Sequence, residues 1–539
     1  MQQPDAFAIR LLSLNDAPKE ISYQRLLAQV NDHARLLDQQ HAGSTCLLDA
    51  GADPQTQLIE LLGVIRSGRC AAMPDPDWPP AVQQQVMQSL VALTKHAGCP
   101  PARHPRPHLP ASSPIQTDVI GHDGSPRFPL SNGHEPFYIG FTSGSTGLPK
   151  GFRRDHRSWV ESFRVSLQDF GEVATGHVLA PGRLSHSLFL FGALLGVWSG
   201  AGATLLRRFS AEQVLAQLAT HQYPVMVAVP SQLMLMLAAA RRRALPPMHG
   251  LRLLLISGAR WAREHTAALQ ALFPAARLIS FYGASETSYV SWMEANENAP
   301  IEAVGRPFSN VSLHIGETPD HPPHAADEPG RIWVKSPMLF TEYINPDDAT
   351  AALRHGDWLS VNDIGHLDPN GVLHLHGRES RMIVTQAKNL FPEELESCLM
   401  AHPAIAHASV HGLPDAQRGH SVHAVIQSKD EAERAHPLPD TRELAAWCRQ
   451  HLERFKTPRH WWCWSGAWPQ TASGKTDHAR IALALAATAR QQDQADHDPF
   501  PPAASVRWMH TGKANIRNST DATSPAPFTE RMPTLQRLA

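Results

Sequence analysis

The 539-residue chain has little cysteine, almost no net charge and no long apolar run, and each shortage excludes something. Its six cysteines, at positions 46, 70, 99, 398, 448 and 463, never come within a C-x-x-C spacing. That pattern argues against zinc ribbons and disulfide scaffolds and fits a reducing compartment. A formal charge of −2 leaves no global field to attract nucleic acid or an anionic membrane. The most apolar stretch, residues 188–198, is shorter than the roughly 20 residues a bilayer span needs, and it reads as a buried helix. The opening Met1-Gln2-Gln3-Pro4-Asp5 lacks the basic-then-apolar order of a signal peptide. The expected location is cytoplasmic, with no transmembrane segment and no nucleic-acid partner.

What is present is ordinary in bulk and patterned in detail. Hydrophobic residues make up 42% and charged residues 18%, and 539 residues are too many for one compact core, so two or more domains are expected. Residues 21–37 have helical periodicity, with Leu26, Leu27, Val30, Ala34 and Leu37 on one face. Residues 45–48 read as a buried strand, 57–67 as a helix, and 71–74 as a strand ending at Pro74. Residues 99–134, rich in Pro, His, Ser and Gly, read as a long surface connection. Alternation resumes at 137, with strands near Val178 and Thr204 and over 225–229, 253–256 and 278–282. It predicts an α/β fold of doubly wound sheets. Short strands and turns such as Asp368-Pro369-Asn370-Gly371 predict a β-rich subdomain over 305–376. The expected organisation is an N-terminal domain over 1–378, a small mobile α+β domain over 379–490, and a polar, aperiodic, largely disordered tail over 491–539.

Phosphate chemistry enters at Thr142-Ser143-Gly144-Ser145-Thr146-Gly147-Leu148-Pro149-Lys150-Gly151. Glycines let backbone N–H groups turn inward into an anion-binding nest. The hydroxyls add donors, and Lys150 adds a mobile positive charge. The strand-like lead-in over 137–141 distinguishes the segment from a flexible linker. Leu148-Pro149 between Gly147 and Lys150 departs from P-loop spacing, and the glycines do not fit the dinucleotide fingerprint.

Three further segments carry chemistry. Tyr282-Gly283-Ala284-Ser285-Glu286-Thr287 follows a β-type run, at the strand end where open α/β sheets bind ligands. An aromatic ring beside glycine suits stacking on a purine, and a carboxylate among hydroxyls suits Mg²⁺. A strand followed by a helix cap at Ser285 explains the same letters. Asp363, followed by Arg378, offers a carboxylate for ribose hydroxyls beside rigid donors, or simply a turn cap. Lys475 lies in the Gly/Ser loop Thr471-Ala472-Ser473-Gly474-Lys475-Thr476, where it could swing onto a phosphate or only face solvent.

In this order the four segments resemble the motifs of the acyl-adenylate-forming superfamily, which includes acyl-CoA synthetases, peptide-synthetase adenylation domains and luciferases. The resemblance spans roughly residues 20–485 and includes Ile21-Ser22-Tyr23, Leu184-Ser185-His186-Ser187, Ser257-Gly258-Ala259 and Phe455-Lys456-Thr457-Pro458. It implies that Thr142, Ser143, Gly144, Ser145, Thr146, Gly147 and Lys150 hold the ATP phosphates. Gly258, Ala259, Tyr282 and Gly283 would form the adenine slot, and Ser285 would contact phosphate. Asp363 and Arg378 would hold the ribose, Glu286 with Thr146 would hold Mg²⁺, and His186, Phe191, Gly192, Ser231 and Ala284 would line the acyl pocket. Lys475, Thr142 and Glu286 would be catalytic, with Lys475 bridging the α-phosphate and the substrate carboxylate. A carboxylic acid would become acyl-AMP, then pass to a thiol, CoA or a carrier protein's phosphopantetheine. The C-terminal domain of such proteins rotates between the two halves, here about Arg378-Glu379-Ser380.

The pattern has departures. Val361-Asn362-Asp363 stands where relatives read Thr-Gly-Asp, and Ser380 where a hinge Asp or Lys is common. Gln386-Ala387-Lys388-Asn389 stands where relatives with a thiolation step often carry Gly-Gly, and Arg260-Trp261 follows the adenine wall. Residues 227–231 hold no aspartate for an ammonium group, and residues 188–195 and 231–237 are apolar, so a fatty or aryl acid is expected rather than an amino acid. The competing readings are an acyl-AMP ligase that loads a carrier protein and a non-catalytic nucleotide-binding interaction module. Retention of Lys150, Glu286, Asp363 and Lys475 argues against the latter. Of the 31 histidines, His374 and His376 share a strand face, but no third ligand completes a metal set.

Overall fold

A computed structural model describes residues 6–13, 17–40, 43–96, 133–142, 149–220, 223–346, 348, 352–386, 388–415, 418–429, 440–471, 475–497 and 535–538. The chain divides into two compact units. The first is Met1–Ser380 with Thr471–Lys475, and the second is Arg381–Gln470 with Thr476–Ala539. Among the described residues no helix is long and apolar enough to cross a membrane.

The first unit is built on a 15-stranded sheet. Its parallel half joins Phe7–Leu12, Ala203–Leu206, Val178–Ala180, Val225–Ala228, Leu253–Ile256 and Arg277–Ala284. Val225–Ala228 and Leu253–Ile256 are buried at every residue, which is why they read as unbroken apolar runs: helices cover both faces. Helix Ser187–Ser199 is buried over most of its length, as the apolar run predicts, and ends at Gly200 with φ 84°. Helix Tyr23–Gln39 starts at Ser22, whose hydroxyl accepts from the Arg25 N–H at 3.3 Å. It buries Leu26, Val30, Ala34 and Leu37 as expected, but Leu27 is 54% exposed. One residue along a helix is a rotation of about 100°, so Leu27 leaves the face that Leu26 holds. Helix Pro54–Arg66 begins three residues before the predicted start, because Asp53 caps it through the N–H groups of Gln55 and Thr56.

The β-rich region is continuous with this sheet. Arg277–Ala284 turns back as Ser288–Glu294, and antiparallel pairing then runs through Ala303–Pro307 to Leu373–Arg378 and Asp363–Leu367. The turn at Asp368 forms as predicted: its Oδ1 accepts from the Asn370 and Val372 N–H groups at 2.8 Å, and Gly371 takes φ 76°. A second sheet orders Glu342–Tyr343, Lys150–Asp155, Pro136–Thr142, Cys70–Ala72 and Thr45–Leu47. The connection expected over 99–134 lies, up to residue 132, outside the described residues.

The second unit carries a four-stranded sheet of Ile405–Asp415, Gly419–Ser428, His460–Trp464 and Leu535–Leu538, with helices Pro392–Met400, Thr441–His451 and His478–His497. Leu535–Leu538 lies in the tail predicted to be largely disordered. It pairs antiparallel with His460–Trp464, and Leu535 packs against the cluster of Trp462, Trp464 and Trp468. One tryptophan-rich strand with Trp468 beside it gives Leu535 apolar cover, although the composition of these four residues carries no strand signal.

Candidate functional site

The carboxyl ends of Leu253–Ile256 and Arg277–Ala284 open onto a cavity of about 200 Å³ lined by Ser257, Gly258, Ala259, Tyr282, Gly283 and Lys475, among others. Gly258 holds φ 90°, and a Cβ there would lie 3.0 Å from Val229 Cγ1, so the wall is bare backbone. The Ser257 hydroxyl donates to the Phe281 carbonyl at 3.1 Å and joins the two strand ends. Arg260 also lines the cavity and donates to the Leu375 carbonyl at 3.2 Å. Trp261 is 3% exposed, and its indole N–H donates to Thr266 Oγ1 at 2.9 Å. Both departures at the wall therefore line the cavity: Arg260 reaches across to Leu375, and Trp261 is fixed in place by Thr266.

Tyr282 is tied to the ribose candidates. Its hydroxyl donates to Asp363, and Arg378 Nε donates to the other oxygen of that carboxylate at 3.1 Å. Asp363 and Arg378 meet because they are cross-strand partners. Asp363 is 4% exposed. Burial, then the Asp363 charge, holds the Tyr282 hydroxyl well above its ordinary pKa, while Asp363 raises the Arg378 guanidinium. Asn362 takes φ 62°, the left-handed conformation a glycine would supply and asparagine tolerates. The Val-Asn-Asp departure thus keeps the backbone path.

The turn after Tyr282 is tight. The Ala284 N–H donates to Thr287 Oγ1 at 3.0 Å, and Ser288 takes φ 58°. A Cβ on Gly283 would fall 1.9 Å from the Ser288 carbonyl oxygen, so glycine is required there. Glu286 is 8% exposed and accepts from the Tyr343 hydroxyl at 2.7 Å. Burial and the Glu286 charge push that hydroxyl far above its ordinary range. The Glu286 backbone carbonyl accepts from the Phe340 N–H at 2.8 Å. Tyr343 lies in no motif, and nothing in its neighbourhood of sequence points to Glu286.

Thr142 and Lys150 are cross-strand partners, so the two ends of the glycine-rich loop are held side by side. Lys150 faces Asp348 at 3.8 Å. Ser143, Gly144, Ser145, Thr146 and Gly147 lie outside the described residues, and so does the Mg²⁺ role expected of Thr146. Lys475 keeps surface open to solvent, yet the atoms crowded around it, and then Arg378, hold its ammonium below the ordinary lysine pKa, with Glu286 and Asp363 opposing.

The acyl-pocket candidates are spread. His186 caps helix Ser187–Ser199, and its Nδ1 accepts from the Leu188 N–H at 3.3 Å. A Cβ on Gly258 would lie 3.9 Å from its ring, which puts His186 beside the cavity wall. Burial, and then Lys475, push it down to about 4, so it is neutral at pH 7. Phe191 packs among Trp159, Phe163 and Tyr289 in the core. Gly192 lets its helix approach the sheet, since a Cβ would meet Val227 at 2.7 Å. Ala284 sits in the tight turn, and Ser231 is exposed at the start of helix Pro230–Arg242. His374 and His376 both stack on His366, with His366 Nδ1 and His376 Nε2 2.8 Å apart. Among the described residues no group of three His, Cys, Asp or Glu side chains is arranged to hold a metal ion.

Sequence patterns of known families match most of the chain: that of AMP-binding enzyme over residues 1–344, and that of AMP-binding enzyme C-terminal domain over 394–475. The chain is 38% identical over 369 residues to the uncharacterized acyl–CoA ligase YhfT of Bacillus subtilis (strain 168), covering 67% of this chain and 71% of that protein. It is 30% identical over 349 residues to the 2-succinylbenzoate–CoA ligase of Bacillus velezensis, covering 63% and 67%. Among solved structures, ATP-bound MatB from Rhodopseudomonas palustris shares the fold, with a TM-score of 0.71 at 19% identity over 90% of this chain and 96% of that one.

Proposed function

Because the chain belongs to the AMP-binding enzyme family and is an enzyme of the acyl-CoA synthetase kind, we propose that it activates a carboxylic acid with ATP and transfers the acyl group to a thiol, that of CoA. The observation that carries this reading is the company Lys475 keeps: it lines the same cavity as Gly258, Ala259 and Tyr282. An ammonium beside a purine slot suits a reaction in which a carboxylate must approach an anionic phosphate. Gly258, Ala259 and Tyr282 would take the adenine, Asp363 and Arg378 the ribose, and Thr142 to Lys150 the phosphates. Asp363 would exchange its bond from Tyr282 for ribose hydroxyls. The cavity is large enough for a flat base, and the nearly buried Glu286 carboxylate is a hard oxygen donor of the kind Mg²⁺ takes. Mg²⁺ bound there would supply charge neutralisation for the phosphates.

A fatty or aryl acid is favoured because helix Ser187–Ser199, which His186 caps, carries no charged side chain, and Asp75, which accepts from Ser185, is already paired with Arg183. A carrier protein's phosphopantetheine is the second acceptor to consider. Gln386 is exposed at φ 53°, so a side chain stands where a glycine would leave the backbone bare. ATP–pyrophosphate exchange across fatty, aryl and amino acids, with CoA added second, tests the whole reading. Exchange with one acid class, followed by CoA-dependent AMP release, is expected. Lys475→Ala should lower exchange on the order of 10²- to 10³-fold. Exchange with amino acids alone would overturn the substrate class, unchanged exchange in Lys475→Ala would overturn the role given to Lys475, and no exchange with any acid would favour a binding module.

A further inference from the structure

We propose that Arg154 is a positioning residue for Glu286 and, through it, sets how readily the protein takes the divalent cation of MgATP. The inference rests on the reading of Glu286 as the Mg²⁺ holder. In strand Lys150–Asp155, alternation puts Phe152 and Arg154 on one face, 1% and 3% exposed. An arginine this deep is ordinarily matched by a carboxylate, because taking a charge out of water is costly. The bonds of Arg154 end instead on neutral oxygens. Nε donates to Ser158 Oγ at 3.1 Å, Nη1 to the Ser285 carbonyl at 3.0 Å, and Nη2 to Ser288 Oγ at 2.6 Å and the Met338 carbonyl at 2.8 Å.

These acceptors share a location. Ser285 and Ser288 bracket Glu286 in the tight turn. Met338 lies two residues before Phe340, whose N–H supports the Glu286 carbonyl. One rigid guanidinium fork therefore fastens both sides of the turn and the backbone beneath it, while Tyr343 fixes the carboxylate from the other end. Burial pushes the Arg154 pKa down to about 10, with Asp155, Tyr138 and Glu286 opposing, so the group stays charged at neutral pH. A held turn presents its carboxylate without an ordering cost when the cation arrives.

The test is calorimetric ATP binding by the full-length protein as free Mg²⁺ is varied, beside thermal unfolding without ligand. Arg154→Met should need roughly 10- to 100-fold more Mg²⁺ for half-maximal ATP affinity, with ATP affinity in EDTA unchanged. Arg154→Lys should recover only part, because an ammonium cannot span the same acceptors. Ser288→Ala removes one anchor without emptying the buried site, and should shift the dependence less in the same direction. Wild-type Mg²⁺ dependence in Arg154→Met, or in Ser288→Ala should the methionine variant not fold, would overturn the proposal even if the melting temperature fell. An unchanged Mg²⁺ dependence in Glu286→Gln would overturn the assignment of Glu286 itself, and the proposal with it.

Discussion

Arg154 in the first unit and Arg381 in the second are both enclosed arginines, but their surroundings are opposite in kind. Arg381 donates through Nη1 to Glu393 at 3.0 Å and through Nη2 to Glu396 at 2.6 Å. Glu396 also accepts from the Val410 N–H at 2.8 Å, and His478 and Ser409 close the cluster. Burial opposes the Arg381 charge, but Glu396 and Glu393 outweigh it and hold its pKa above the ordinary value. Around Arg154 the protein supplies carbonyl and hydroxyl oxygens, and its pKa falls. A cation matched by carboxylates is internally balanced and serves the fold. A cation given only neutral acceptors leaves charge standing behind a turn that itself carries the metal-holding candidate.

The contrast breaks most visibly in stability. Arg381→Met strands Glu396, whose side chain is 6% exposed, and should cost the second unit about 3–5 kcal/mol, read by urea unfolding followed through its tryptophans. Adding Glu396→Leu should return most of that loss, because the pair is then removed together. If Arg381→Met melted like wild type, the account of Arg381 as a structural charge would fail.

Acid sharpens the same comparison with a smaller effect. Burial pushes His411, His423 and His478 down to about 3, and Arg381 adds to the depression of His411 and His478. A free histidine titrates near 6.5, so on acidification the unfolded chain takes up protons first. Stability present above about pH 6.5 should therefore be lost progressively as pH falls toward 3, most of it carried by the second unit. Urea midpoints at pH 7 and pH 5 measure the slope. In Arg381→Met the slope should be shallower, since His411 and His478 lose a repelling neighbour. The smallest expected change is Gln386→Gly, which relieves a φ of 53° and should stabilise the second unit by no more than about 1 kcal/mol. A loss of stability instead would mean the glutamine side chain makes a contact worth more than its backbone strain.

Much of this molecule was legible before its structure. Val225–Ala228 and Leu253–Ile256 announce a sheet covered on both faces, residues 188–198 announce a buried helix, and Asp368 to Gly371 announces a turn. Tyr282, Asp363, Gly258 and Lys475 could be named as candidates because each sits in a local segment whose residue types suit one task. Leu27 was misplaced because apolarity alone does not say which of two neighbours faces the core. Phe191 and Gly192 read as pocket residues, while their contacts are with Trp159, Phe163 and Val227 in the packed interior.

The chain's local patterns by themselves determined the α/β alternation, the order of the nucleotide-binding candidates and the family. Periodicity, glycine placement and motif spacing are properties of near neighbours, and they need no partner to be read. Only the tertiary structure decided that Arg154 meets Ser285, 131 residues away, that Tyr343 meets Glu286, that Lys475 shares a cavity with Gly258, and that Leu535–Leu538 completes a sheet. Hydrogen bonding and burial act across space rather than along the chain. A buried polar group's partner is therefore chosen by how the sheets are stacked, and no stretch of residues beside it records that choice.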